Sequence, residues 1–192
     1  MTKLILVTGT PGAGKSTILE GLIKKKSINL INLGNVMLNI AKEKHGIQNR
    51  EDLGRMDEEQ IRQNREDAFA EIIAKKKDSI IDTHLTIKYG RRYVPGVTIE
   101  ELQKIRIKAI VYIDATAKEI WNRRHNDPSK ADRRNIADTE AEIDEQKAVN
   151  LAILSSCAIY LSIPIYIIYN SDRKAAEAEL ELEKIVKEHF DI

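Results

Sequence analysis

The stretch LVTGTPGAGKST, residues 6–17, holds the spacing Gly9-x-x-x-x-Gly14-Lys15-Ser16. Glycine at 9, 12 and 14 lets the backbone curl round an anion with no Cβ in the way, so that successive N–H groups face one polyphosphate. A helix starting near Lys15 adds the positive end of its dipole. Lys15 supplies a cation for the terminal phosphates, and Ser16 offers a hydroxyl to the Mg²⁺ they carry. Gly9, Thr10, Pro11, Gly12, Ala13, Gly14, Lys15, Ser16 and Thr17 are therefore the expected cradle of a nucleoside triphosphate.

Further residues could handle what the phosphate is passed to. Asp82 closes the apolar run SIID and is a candidate to orient Mg²⁺ through water. For a hydroxyl acceptor it would instead be the candidate base. His84 follows it at the predicted mouth, where it could meet an acceptor phosphate or base. Arg55 stands alone among Gly54, Met56 and Asp57 and could reach an acceptor phosphate. The stretch RRHNDPSKADRR brings Arg123, Arg124, Lys130, Arg133 and Arg134 together, and arginine suits bidentate phosphate contacts. Each has a plainer reading: strand-end capping for Asp82, a structural imidazole for His84, surface ion pairs for the arginines. His45 and His189 read as surface residues, and Trp121 and Tyr112 as core.

The elements must bring these groups to one edge. KLILVTG is apolar without alternation, as a strand buried on both faces is. KSTILEGLIKKK reads as a helix, INLINLG as a second strand, and NVMLNIAKEKHG as a helix stopped by Gly46. Asp57 with Gln60, Thr98 with Glu101, Thr116 with Glu119 and Thr139 with Glu142 have capping-box spacing, so each should open a helix. SIIDTH (79–84), KAIVYIDA (108–115) and PIYIIYN read as the third, fourth and fifth strands. LTIKYGRRYVPGV reads as an exposed loop, marked by Gly90, Pro95 and Gly96. The last helix is expected from about Asp172 to Phe190. Strands alternating with helices predict an α/β fold with a parallel sheet and ligands at the carboxyl ends of its strands.

The 192 residues suit a single domain, 42% apolar and 32% charged. A net charge of +1 predicts no broad attraction to nucleic acid or membrane. The lone Cys157 excludes an internal disulfide and a cysteine zinc cluster, and its apolar surroundings predict a buried thiol. LAILSSCAIYLSIPIYII is the most apolar stretch, but Ser155, Ser156 and Pro164 break it into helix and strand. With no leader expected ahead of Lys3, the cytoplasm is the expected location. No guanine-reading Asn-Lys-x-Asp follows a strand, since the fourth strand ends YIDATAK.

Several stretches, in order, resemble the archaeal-type adenylate kinases: VTGTPGAGKST, NLGNVMLNIAKE, NREDLGRMDEEQIRQ, IIDTHLTIKYGRRYVPGV and RRHNDPSKADRRN. The resemblance spans residues 3–170. It implies a P-loop NTPase three-layer sandwich, a five-stranded parallel sheet in the order 2-3-1-4-5 with helices on both faces. A monophosphate-binding insert over 32–76 and a short lid over 125–138 would complete it. The activity implied is MgATP + AMP ⇌ 2 ADP, by direct in-line transfer without a covalent intermediate. The loop would hold ATP. Gly34, Met37, Arg55, His84 and Gly96 would line the AMP site, and Arg124, Arg133 and Arg134 would close on the phosphates. A homotrimer is also implied. Met56 stands where the family carries a lysine, and Arg91 and Arg92 where it carries smaller or uncharged residues. The residues themselves leave open a CMP, UMP or hydroxyl-compound kinase, and a slow ATPase serving as an assembly factor.

Overall fold

The computed structural model describes residues 2–54, 56–89, 91–126 and 139–190. Arg55 and the stretch 127–138, with Lys130, Arg133 and Arg134, lie outside the described residues.

Five strands form one parallel sheet: β1 (Leu4–Gly9), β2 (Asn29–Asn32), β3 (Ser79–Asp82), β6 (Ala109–Asp114) and β7 (Ile165–Tyr169). Their order is β2-β3-β1-β6-β7, the 2-3-1-4-5 arrangement of the main strands. Register places Val7 beside Asp82 and Gly9 beside Ile113, so the strand ends carrying chemistry share one edge.

Alternate side chains of the central strands feed two cores, because successive residues of a strand face opposite sides of the sheet. Ile5, Val7, Val111 and Ile113 pack with Ile18 and Leu22 of α1 (Lys15–Lys25) and Leu182 and Val186 of α8 (Ala175–Phe190). Leu4, Leu6, Ile110 and Tyr112 pack on the other face. Their partners there include Phe69 and Ile72 of α4 (Glu58–Ala74), Leu102 of α5 (Ile99–Ile105), and Leu154 and Cys157 of α7 (Glu140–Leu161). The lone thiol is buried in this second core, and burial pushes its pKa up.

The capping boxes form as their spacing requires. Asp57, Thr98 and Thr139 each accept from the backbone three residues on, and Gln60, Glu101 and Glu142 reach back. Thr116 and Glu119 make the same exchange ahead of α6 (Ala117–Asn126), at 2.9 and 3.2 Å. Gly46 closes α2 (Leu33–His45) at φ 66°.

Two expectations are corrected. The stretch after His84 is not an irregular loop but an antiparallel hairpin, β4 (Thr86–Tyr89) with β5 (Arg92–Pro95). Thr86, Ile87, Tyr93 and Val94 are strand formers. Leu85 and Val97 are buried at its two ends, and Gly96 N–H donates to the Leu85 carbonyl at 2.8 Å. The last helix begins at Ala175 rather than near Asp172. Arg173 sits at φ 65°, outside helical backbone, while Asp172 N–H donates to Glu119 at 2.7 Å. Between α2 and α4 lies one further helical turn, α3 (Arg50–Leu53), with Asn49 capping Asp52 N–H at 3.0 Å.

Candidate active site

The phosphate loop leaves β1 at Gly9 and enters α1 at Lys15, as the apolar run and the glycine spacing dictate. Gly12 and Gly14 take φ of 91° and 89°, backbone that side-chain-bearing residues rarely adopt. The loop is braced from behind by partners far away in sequence. Tyr112 is fully buried, and its hydroxyl meets Thr10 Oγ1 at 2.7 Å. Asn150 Nδ2 lies 3.5 Å from the same oxygen, and Asn150 Oδ1 accepts from Thr86 at 2.5 Å. Asn170 Nδ2 donates to the Ala13 carbonyl at 2.8 Å, and Asn170 N–H to the Asp114 carbonyl at 2.8 Å.

Two arginines of α6 complete the brace. Arg124 donates to the Pro11 carbonyl through Nε at 2.8 Å and Nη2 at 2.6 Å, and to Gln146 at 3.3 Å. Burial pushes its guanidinium down to about 10. Its Nη1 is buried with no hydrogen-bond partner among the described residues, a donor left over beside the loop. Arg123 donates to the Ala13 carbonyl at 3.2 Å and pairs with Asp172 at 2.7 Å.

Lys15 is 9% exposed and forms an ion pair with Asp82, which is 7% exposed at the end of β3. Burial, and then the positive charge of Arg50, push the Lys15 ammonium down to about 8. Ser16 and Thr17 are exposed on the first turn of α1. Asp82 Oδ2 accepts from Asn32 Nδ2 at 2.6 Å. A hydroxyl and a strand-end carboxylate are hard oxygen donors of the kind Mg²⁺ takes when phosphates and water supply the rest of its shell.

The expected acceptor residues fall in three groups. Gly34, on the first turn of α2, lies beside Arg50, whose Nη2 would stand 3.3 Å from a Cβ there. Met37 is half-buried against the second core, and its carbonyl accepts from Asn64 at 3.0 Å. His84 is half-buried with Nδ1 3.4 Å from the Gly9 carbonyl, and Gly96 lies so close beneath it that a Cβ would overlap the His84 carbonyl. The structure thus joins Lys15, Asp82 and Arg124 to the loop and sets His84 against it, while Met37 stands half-exposed at the rim of the second core.

Sequence reasoning passed over Arg50, Asn32, Tyr112's hydroxyl, Asn150 and Asn170. Asn32 and Asn170 had a local signal, since one ends the second strand and the other directly follows the fifth, both at carboxyl ends.

A family described as AAA domain matches residues 8–144. The adenylate kinase of Methanopyrus kandleri is 31% identical over 191 residues, covering 97% of this chain and 99% of that protein. The adenylate kinase of Pyrococcus horikoshii is 32% identical over 191 residues, covering 97% and 96%. That of Thermoplasma acidophilum is 29% identical, covering 94% and 97%. In fold, shikimate kinase from Bacteroides thetaiotaomicron superimposes with a TM-score of 0.58 at 17% identity, covering 96% of this chain and 98% of that one. With a phosphate loop at the edge of a five-stranded parallel sheet and full-length relatives of one kind, the chain belongs to the adenylate kinase family of nucleoside monophosphate kinases.

Proposed function

We propose that the protein catalyses MgATP + AMP ⇌ 2 ADP by direct in-line transfer. The observation that carries this reading is the meeting of Lys15, Asp82 and Arg50 at the carboxyl edge of the sheet. Two cations stand there against one carboxylate: Lys15 pairs with Asp82 directly, and Arg50 is joined to Asp82 through Asn32. That arrangement favours an anion over the phosphate loop.

In this reading Gly9–Thr17 hold ATP, Lys15 neutralises charge on the transferring group, and Arg124 keeps the loop shaped. Arg133 and Arg134 close over the phosphates from the 125–138 lid, and Arg55, with Gly34, Met37, His84 and Gly96, serves AMP within and beside the 32–76 insert. Arg50 joins this acceptor set. The γ-phosphorus bond to the ADP oxygen breaks as a bond forms to an AMP phosphate oxygen. The acceptor is already an anion, so no strong base is needed; positioning and exclusion of water do most of the work. Bound with ATP near Ser16 and Asp82, Mg²⁺ would supply charge neutralisation on the phosphates.

The single-domain organisation and a homotrimer belong to the same proposal. Ile159 and Tyr160, 81% and 63% exposed near the end of α7, are apolar surface that an oligomer contact would use. Among the described residues no helix is long and apolar enough to cross a membrane.

The test is ADP formation from MgATP with AMP, CMP, UMP or GMP offered separately, beside a control without acceptor. Fast ADP formation with AMP alone is expected. Preference for another monophosphate would overturn the substrate assignment, and slow hydrolysis independent of acceptor would overturn the kinase reading.

A further inference from the structure

At the carboxyl end of β2 a single amide holds three partners. Asn32 Nδ2 donates to Asp82 Oδ2 at 2.6 Å. Its Oδ1 accepts from Arg50 Nη2 at 2.7 Å and from the Asn35 backbone N–H at 3.0 Å. Asp82 in turn pairs with Lys15 through its other oxygen. A continuous chain, Lys15–Asp82–Asn32–Arg50, therefore runs from the phosphate loop to α3. Asn35 Oδ1 also accepts from Arg50 Nη2, at 2.5 Å, so the guanidinium is aimed by two amides.

The residue type is more specific than its helix cap demands. As the N-cap of α2, Asn32 could be replaced by serine, threonine or aspartate. Of these capping residues only asparagine presents a donor on one atom and an acceptor on another, far enough apart to span a carboxylate and a guanidinium. The partners also fix its orientation. A turned amide would set Nδ2 against the guanidinium and Oδ1 against the carboxylate, two repulsive contacts in place of two charge-assisted bonds.

We propose that Asn32 is a positioning residue that couples the donor and acceptor sites, holding Asp82 with Nδ2 and Arg50 with Oδ1. The inference rests on the adenylate kinase reading, with Arg50 on the acceptor phosphate. A triphosphate that takes Lys15 leaves Asp82 more dependent on Asn32, which stiffens the amide and the guanidinium beyond it. An acceptor phosphate that takes Arg50 changes the same amide from the other side. Each ligand then alters the affinity of the other, and by equal factors, because coupling between two binding equilibria is reciprocal.

The test uses the full chain with Asn32→Ser, which keeps a capping oxygen but loses the amide span. Calorimetric titration measures AMP binding with and without a saturating non-hydrolysable MgATP analogue, and thermal unfolding is followed in parallel. In the wild type, the analogue is expected to change AMP affinity by about fivefold or more. In Asn32→Ser this ratio should fall toward one and kcat should drop, with the unfolding midpoint held. Asn32→Asp, another good cap, keeps the acceptor toward Arg50 but sets a second carboxylate against Asp82, and should lose the ratio as well. A wild-type ratio in both variants, or no coupling in the wild type, would overturn the inference and leave the kinase reading standing. A wild type that transfers no phosphate to AMP would overturn the reading beneath it instead.

Discussion

Asn170 Nδ2 donates to the Ala13 carbonyl at 2.8 Å, and a Cβ placed on the neighbouring Gly14 would overlap that same nitrogen. The last strand of the sheet thus sets the shape of a loop that follows the first. Gly14→Ala meets two penalties, a backbone held at φ 89° and a buried amide with nowhere to move. The expected cost is about 1–3 kcal/mol of stability, together with a loss of about tenfold or more in MgATP affinity. Urea unfolding and equilibrium titration read the two separately; an unchanged MgATP affinity would remove Asn170 from the shaping of the loop.

The Lys15 ammonium, pushed down to about 8 by burial and by Arg50, sets a pH dependence. A polyphosphate beside Lys15 favours the charged form, so the bound complex holds the proton more tightly than the free protein. Binding then takes up a proton once the free ammonium begins to lose its own. Nucleotide affinity should be level below about pH 7 and fall as pH rises through about 8. For stability the sign is opposite. The folded pKa lies below the unfolded one, so the cost of burying the charge is present below about pH 8. It is relieved as pH climbs toward the unfolded value near 10.5. Titration of MgATP between pH 6.5 and 9.5, chosen to bracket that window, should show the decline; a flat profile would contradict it.

Tyr112→Phe removes one hydroxyl from a fully buried position and leaves Thr10 with only the distant Asn150 donor at 3.5 Å. A loss of about 1 kcal/mol is expected, seen as a lower urea midpoint at unchanged slope. No loss would mean that the Thr10–Tyr112 bond contributes nothing net.

Arg65 of α4 and Glu101 of α5 form a buried ion pair at 2.6 Å, and Glu101 also accepts from Thr98 N–H at 2.7 Å. Arg65→Met should cost about 3–5 kcal/mol, because it leaves a buried carboxylate without its cation. Arg65→Met with Glu101→Gln should recover part of that loss. A double variant as unstable as the sum of the singles would show that the pair does not act as a unit.

Legibility in the sequence followed the range over which each feature is determined. The phosphate loop and the capping boxes at Asp57, Thr98 and Thr139 rest on neighbours within a few residues and formed as read, whereas the strand order joins segments some 75 and 104 positions apart and came from the resemblance alone. The hairpin after His84 was obscured because Gly90, Pro95 and Gly96 are strong turn signals, although strand formers lay on either side of Gly90. The braces of the loop join residues 102, 140 and 157 positions apart, Thr10 with Tyr112 and Asn150, and Ala13 with Asn170. No local pattern encodes such pairs, because side-chain partners across a sheet are chosen by the fold. Arg50 was passed over for Arg55 on similar grounds. Both lie in one polar stretch, and only the carboxyl end of β2, through Asn32, shows where Arg50 points.

The central claim is direct transfer from ATP to AMP, and a single-turnover experiment with γ-labelled MgATP tests it most directly. With enzyme in excess and AMP present, the label should appear in the β-phosphate of newly formed ADP with no lag and almost none as inorganic phosphate. Omitting AMP, or replacing Lys15 with Ala in a folded protein, should abolish the transfer. Label released as inorganic phosphate at the same rate with or without AMP would contradict the account.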